Sequence, residues 1–259
     1  MDVEYFLADP SGNITCFVKT MVLRKDYEKV AIELMRREPS CEQVAFIKDS
    51  CTMEMAGLEF CGNATRAFGL YCAKKRGSSG EIKVKVSGVS EPVSVFTDIN
   101  KNYAKVSMPL PLYIGKVMYT GAQLFLVKLP GISHFVTFNH SYDEKEFNEL
   151  VAKGYELTDS EALGVMYVSD DLSMMPAVHV KAVDTSFMEG SCGTGTVALA
   201  ACLKEKEKLS DGTYSFTVRQ PKGELEMEFG VFKGRIERIY IAGCIEFSEV
   251  KNEIIGIIS

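Results

Sequence analysis

Two short stretches place a cysteine and then a glycine where an apolar helix should begin: EFCGNATRAF at residues 59–68 and GSCGTGTVALA at residues 190–200. The first turn of a helix leaves backbone N–H groups unpaired and carries a partial positive charge. Glycine beside it lets a ligand approach the backbone closely, so the turn can receive an anion such as a carboxylate. A thiol held there is drawn toward its thiolate and becomes a base or nucleophile near neutral pH. Cys61 and Cys192 are therefore the candidate catalytic residues.

Two such turns suggest one reaction. If the halves that carry them faced each other across a cleft, the two sulfur atoms would flank a single bound carboxylate. With an amino acid there, one thiolate would remove the α-proton and the other thiol would return a proton to the opposite face. The N–H groups of the two helix starts would stabilise the charge that develops on the carboxylate. That scheme requires neither a cofactor nor a metal.

The elements that must hold these turns occur twice. Residues 16–37, CFVKTMVLRKDYEKVAIELMRR, align with residues 134–155, HFVTFNHSYDEKEFNELVAKGY, each a strand-like run and then a charged helical pattern. EQVAFIKD at 42–49 then matches EALGVMYVSD at 161–170, and each half goes on to its Cys-Gly turn, an apolar helix and alternating strands. The order predicts an α/β (α+β) protein of two similar units, residues 1–112 and 113–248. The seam falls where prolines interrupt the pattern near residues 107–117, and a last strand at 249–259 is able to return to the first unit. The helix over 197–203, VALAACL, has no polar face and should be buried. Asn63 and Thr194 or Thr196 are the expected helix caps.

Composition narrows the alternatives. A net charge of -6 without a basic block argues against nucleic acid as partner. No apolar run approaches the roughly 20 residues that span a bilayer, and the acidic start is not that of an export signal, so the expected location is the cytoplasm. The eight cysteines contain no Cys-x-x-Cys pair, and His134, His140 and His179 form no metal-like spacing, so no metal site is expected. CGTGTV lacks both the lysine of a phosphate-binding loop and the third glycine of a dinucleotide fingerprint. The plain alternative for either cysteine is a buried thiol, as expected for Cys72 and Cys202 inside the helices. The repetition of the whole context favours chemistry.

These residues resemble the cofactor-independent amino-acid racemases and epimerases of the diaminopimelate epimerase type. CGN at 61–63 and SCGTGT at 191–196 are similar to the family's two cysteine motifs, PSGN at 10–13 to its substrate loop, and the likeness runs over nearly the whole chain. The resemblance implies two pseudo-symmetric domains, each a rolled mixed sheet around a central buried helix, with the active site in the cleft between them. It also implies Cys61 and Cys192 as the two bases, and Gly62, Asn63, Gly193 and Thr194 as the carboxylate cradle. Asn13 and Gln43 become further substrate contacts, and His134 in SHFV a structural residue.

Departures bear on the substrate. The Glu-Arg-Gly stretch that diaminopimelate epimerases carry before the second cysteine is absent from AVDTSFMEGSC at 182–192, so a distal carboxylate would lose its bidentate partner. A closer resemblance is to the histidine racemases associated with opine metallophore synthesis, through PSGN, CEQVAFI at 41–47, EFCGNAT, VKVSGVS at 84–90, SCGTGT and QPKG at 220–223. In that group an acidic residue matching Glu42 faces the substrate, and a carboxylate suits an imidazole. The expectation is a racemase of histidine, acting on a small-molecule amino acid without cofactor or membrane, with a homodimer as the symmetric assembly. Alternatives are a diaminopimelate-like epimerase, a racemase of another polar amino acid, a proline or hydroxyproline isomerase, and a non-catalytic amino-acid binder.

Overall fold

In residues 80–86, GEIKVKV, the side chains of Ile82, Val84 and Val86 are buried while Glu81, Lys83 and Lys85 are exposed. That period of two belongs to a sheet with one solvated face. The computed structural model describes residues 1–181 and 184–256. Ala182 and Val183, before the second cysteine, and the end of the C-terminal segment at 257–259 lie outside the described residues. The architecture is mixed α+β, and the chain divides into two compact units: Met1–Ser107 with Ala242–Ser259, and Met108–Ile241.

The first unit runs β1 (Asp2–Asp9), β2 (Thr15–Val18), α1 (Tyr27–Arg37), β3 (Gln43–Ile47), β4 (Thr52–Met55), α2 (Gly62–Arg76), β5 (Gly80–Val86), β6 (Val93–Asp98) and β7 (Tyr103–Ser107). These strands pair in the order β7-β6-β5-β4-β3-β2-β1, with β2/β3 and β4/β5 parallel. Helix α1 is amphipathic: Tyr27, Val30, Ala31 and Leu34, three or four residues apart, are buried in a core with Tyr5, Val18 and Phe46. Helix α2 differs, with every residue from Gly62 to Leu70 buried and with β5, β6 and β7 packed against it. Such an approach requires a missing side chain, since a Cβ on Gly69 would lie 2.6 Å from Val95 Cβ.

The second unit runs β8 (Tyr113–Tyr119), β9 (Ala122–Leu129), β10 (Ile132–Phe138), α3 (Glu144–Leu157), β11 (Ala162–Val168), β12 (Met174–Val180), β13 (Thr185–Met188), α4 (Gly193–Lys206), β14 (Gly212–Gln220), β15 (Gly223–Phe232) and β16 (Arg235–Cys244), of which Ala242 onward belongs to the first unit. Six strands pair in the order β13-β12-β11-β10-β9-β8, with β10/β11 parallel. Asp143 caps α3 by accepting the Glu146 N–H at 2.8 Å, and Phe147, Leu150 and Val151 face the core. Residues 197–203 of α4 are all buried, and β9, β10 and β15 pack against the helix. Near the C-terminus β17 (Glu246–Phe247) and β18 (Lys251–Ile254) both pair antiparallel with β1.

The order strand, helix, parallel strand, Cys-Gly turn, buried helix, strands is present in both units. The sequence reading passed over β4, β12 and β13, which lie between the parallel strand and the cysteine. β4 and β13 have four residues each, and Pro176 interrupts the β12 pattern. No helix among the described residues is long and apolar enough to cross a membrane. Replacing Gly69 by alanine should lower stability by about 1–3 kcal/mol, because overpacking pushes α2 off β6; urea unfolding of the variant beside the parent checks this.

Candidate active site

Cys61 precedes α2 in extended backbone (φ -122°, ψ 113°), and its Sγ accepts the Ala64 N–H at 3.4 Å. The expected cap, Asn63, is instead a helical residue whose Oδ1 accepts from Arg66 Nε at 3.4 Å. Parallel pairing of Thr15 with Gln43 brings the start of β3 beside the same sulfur. From there Gln43 Nε2 reaches Cys61 Sγ at 3.2 Å, Thr15 Oγ1 at 3.0 Å and the Asn13 Oδ1. Asn13 in turn donates from Nδ2 to Glu42 Oε2 at 2.9 Å. The loop that presents Asn13 turns through two left-handed residues, Ser11 (φ 66°) and Gly12 (φ 88°), with Asp9 Oδ1 accepting the Gly12 N–H at 2.6 Å.

Arg66 braces this arrangement from below. Its side chain is fully buried, donating to the Gly243 carbonyl and to Ser11 Oγ, each at 2.9 Å, besides Asn63. A buried guanidinium is tolerated only with such partners, so it ties the first turn of α2 to the loop that carries Asn13.

The second unit repeats the cap. Cys192 (φ -115°, ψ 108°) precedes α4, and its Sγ accepts the Gly195 N–H at 3.3 Å and lies 3.5 Å from Thr194 Oγ1. Its own N–H donates to Gln220 Oε1 at 2.7 Å; Gln220 Nε2 donates to Thr196 Oγ1 at 3.1 Å, and that hydroxyl donates to the Cys192 carbonyl at 2.8 Å. The corresponding hydroxyl of Thr65 donates to the Cys61 carbonyl at 2.6 Å. Sulfur caps both helices, and in neither is a threonine or asparagine the cap. The second site also includes His134, whose Nε2 is 3.0 Å from Thr194 Oγ1 and whose burial lowers its pKa to about 3, leaving it neutral.

A helix start was expected to lower a thiol's pKa. At Cys192 the net direction is the reverse: burial pushes the thiol well above its usual range and the neighbouring Glu189 carboxylate adds to this, while Thr194 and the Gly195 N–H pull the other way. Loss of hydration around the sulfur outweighs two hydrogen bonds and the helix end.

The family model described as the histidine racemase CntK N-terminal domain matches residues 2–250. The chain belongs to the histidine racemase family. One member, the histidine racemase of Fusobacterium nucleatum, is 35% identical over 257 residues, covering 94% of each chain. Among solved structures, a phenazine biosynthesis protein of the PhzF family from Bacillus anthracis superposes with a TM-score of 0.72 at 12% identity, covering 98% of this chain and 100% of that one. A hydroxyproline epimerase from Agrobacterium vitis, with bound trans-4-hydroxy-L-proline, gives 0.57 at 13% identity, covering 97% and 92%. At these identities the two structures speak for the fold alone.

Within this family member the structure gathers Asn13, Glu42, Gln43 and Cys61 into one hydrogen-bonded group, with Gly62 and Asn63 opening α2 beside it. Gly193 and Thr194 open α4 beside Cys192. Thr65, Thr196, Arg66 and the Gln220 side chain were not singled out for the site from the sequence. The first two had a signal, a threonine four residues after each cysteine in C-G-N-A-T and C-G-T-G-T. Iodoacetamide at neutral pH should modify half-buried Cys61 before Cys192, and raising the pH to about 9 should speed modification of Cys192, because its thiol is held protonated. Peptide mass mapping over a time course reads both rates.

Proposed function

We propose that the chain interconverts L- and D-histidine through a two-base reaction in which Cys61 and Cys192 act on opposite faces of the α-carbon. Membership of the histidine racemase family makes the chain an isomerase. The observation that carries the mechanism is the repeated cap: in each unit a cysteine sulfur stands at the first turn of a buried helix, hydrogen-bonded to that turn's N–H.

The step balances without an external group. One sulfur, as thiolate, takes the α-proton, and the electron pair of the broken C–H bond delocalises into the carboxylate. The other sulfur, as thiol, delivers its proton to the opposite face, so the two cysteines exchange protonation states and the centre is inverted. The first-turn N–H groups of Gly62, Asn63, Gly193 and Thr194 receive the carboxylate and the charge that grows on it. Asn13 and Gln43 orient the bound amino group and carboxylate, and Glu42 accepts a hydrogen bond from the imidazole. The accompanying fold, a rolled sheet around α2 in one unit and around α4 in the other, is supported by the burial of both helices. Reduced thiols are required, and we place the enzyme in the cytoplasm.

Incubation of either histidine enantiomer in heavy water should give racemic product labelled at the α-carbon. Cys61→Ser and Cys192→Ser should each lower turnover by about 10²–10⁴ with the fold retained. Full activity in either variant removes the mechanism, and tight binding of histidine without exchange in the parent makes the chain a binder. Glu42→Gln should raise KM for histidine roughly tenfold, more than for amino acids without an imidazole. A panel of amino acids resolved by chiral chromatography reads that preference.

A further inference from the structure

We propose that Cys16 and Cys41 are a modification site apart from the catalytic pair: a peroxide joins them in a disulfide, and the bond loosens the hold of Glu42 and Gln43 on the substrate. The effect on substrate rests on the reading of the site given above; the bond itself does not.

The two thiols meet because of how the first unit is wound. β2 and β3 run parallel with Cys16 beside Val44, and the turn out of α1 delivers Cys41 just before β3, its N–H bonded to the Glu38 carbonyl at 2.8 Å. Both side chains belong to the core that α1 covers, Cys16 fully buried and Cys41 6% exposed. Their sulfur atoms are in hydrogen-bond contact, the Cys16 thiol giving its hydrogen to Cys41. The Cys41 thiol gives its own to the Gln43 carbonyl at 3.0 Å. Two thiols in sequence thus end on the backbone of a residue whose side chain reaches the Cys61 sulfur at 3.2 Å.

A buried cysteine on its own is inert. A second thiol in contact with it supplies what it lacks, a partner that resolves an oxidised sulfur. Hydrogen peroxide is small enough to reach Cys41 at its exposed edge. Attack by the Cys41 sulfur breaks the O–O bond, leaves that sulfur as a sulfenic acid and releases one water. The Cys16 sulfur then displaces the hydroxyl: the S–S bond forms, the S–O bond breaks, and the Cys16 hydrogen leaves in a second water. The peroxide takes up two electrons in all, and a dithiol reductant returns them.

The consequence lies in a lost hydrogen. In the disulfide Cys41 has none left for Gln43, so an attraction at 3.0 Å becomes a contact between two electron-rich atoms. The two sulfur atoms also draw together to about 2 Å. On one side Cys41 is held by Glu38, whose carboxylate accepts from Tyr5 Oη at 2.9 Å and from Lys251 Nζ at 2.5 Å. The displacement therefore falls on the other side, on Glu42 and Gln43. There the Glu42 N–H is bonded to the Ile14 carbonyl at 2.9 Å and the Glu42 carboxylate to Asn13, which passes the movement to the loop that presents Asn13.

Trypsin leaves Cys16 alone on residues 1–19 and Cys41 alone on residues 38–48. The full-length parent is treated with hydrogen peroxide at neutral pH, its remaining thiols are blocked, and it is digested without reductant. Mass mapping should find those two peptides joined, and dithiothreitol should part them. A map in which Cys41 stays free, is oxidised without a partner or is joined to another cysteine overturns the proposal. Peroxide also attacks the catalytic thiols, so the effect on substrate is read by calorimetry with L-histidine in Cys61→Ser/Cys192→Ser. Joining should weaken binding roughly tenfold, the scale of one hydrogen bond, with recovery on reduction. Cys16→Ala in that background should bind alike before and after peroxide; if it fails to fold, Cys41→Ala takes its place. An unchanged affinity in the joined chain, or a peroxide effect that survives Cys16→Ala, overturns the proposal. Hydrogen exchange over residues 42–47, which should quicken several-fold on joining, needs no ligand. If the serine variant binds no histidine, that exchange decides, and an unchanged rate overturns the proposal. Absence of α-carbon exchange in the reduced parent, with the two peptides still joined by peroxide, overturns only the racemase reading.

Discussion

A sulfur atom stands in each unit where a helix start ordinarily meets an oxygen. Sulfur is a weak acceptor, at 3.4 Å from the Ala64 N–H and 3.3 Å from that of Gly195, so it satisfies the helix less well than serine or aspartate would. The units compensate around it. A threonine one turn on binds the cysteine's carbonyl in both, and in the second unit Gln220 also accepts the cysteine's N–H. The weaker cap is thus offset at the cysteine's carbonyl in both units and at its N–H as well in the second.

Burial is the opposing constraint. Helices α2 and α4 lie inside their units, so whatever their first turns present is already partly dehydrated. That strengthens hydrogen bonds to a bound anion and at the same time raises the free-energy cost of a thiolate. At Cys192 the second effect is the larger. The buried polar groups near the turns, Arg66 in one unit and His134 in the other, are satisfied differently. Arg66 satisfies three acceptors and fixes a loop, whereas His134 makes one hydrogen bond and keeps no charge.

Much of the local framework was legible in the sequence because it is periodic. The apolar run at 197–203 foretold a buried helix, and the paired Cys-Gly turns foretold two similar helix starts. What escaped has a physical reason in each case. Strands β4 and β13 are too short for alternation to show, and Pro176 masks β12. Threonine and asparagine were expected as caps from the behaviour of oxygen, yet the sulfur two or four residues earlier takes the N–H. Arg66 reads as an ordinary charged residue on a helix until three acceptors are found around its guanidinium. Thr194 could be assigned to the second turn, but its link to a histidine sixty positions earlier depends on strand register, which no local pattern expresses.

Near Cys61 one primary amide serves as donor to three neighbours. Gln43 Nε2 lies within reach of Asn13, Thr15 and the sulfur, and an amide nitrogen has two hydrogens to give. One of the three acceptors must therefore go without at any instant, so the hydrogen bonding of the sulfur is shared rather than owned. A group that donates to the Asn13 oxygen relieves one of the competitors, and the hydrogen released becomes available to the sulfur. Contacts at the loop and hydrogen bonding at the sulfur are thereby linked through two protons on a single nitrogen.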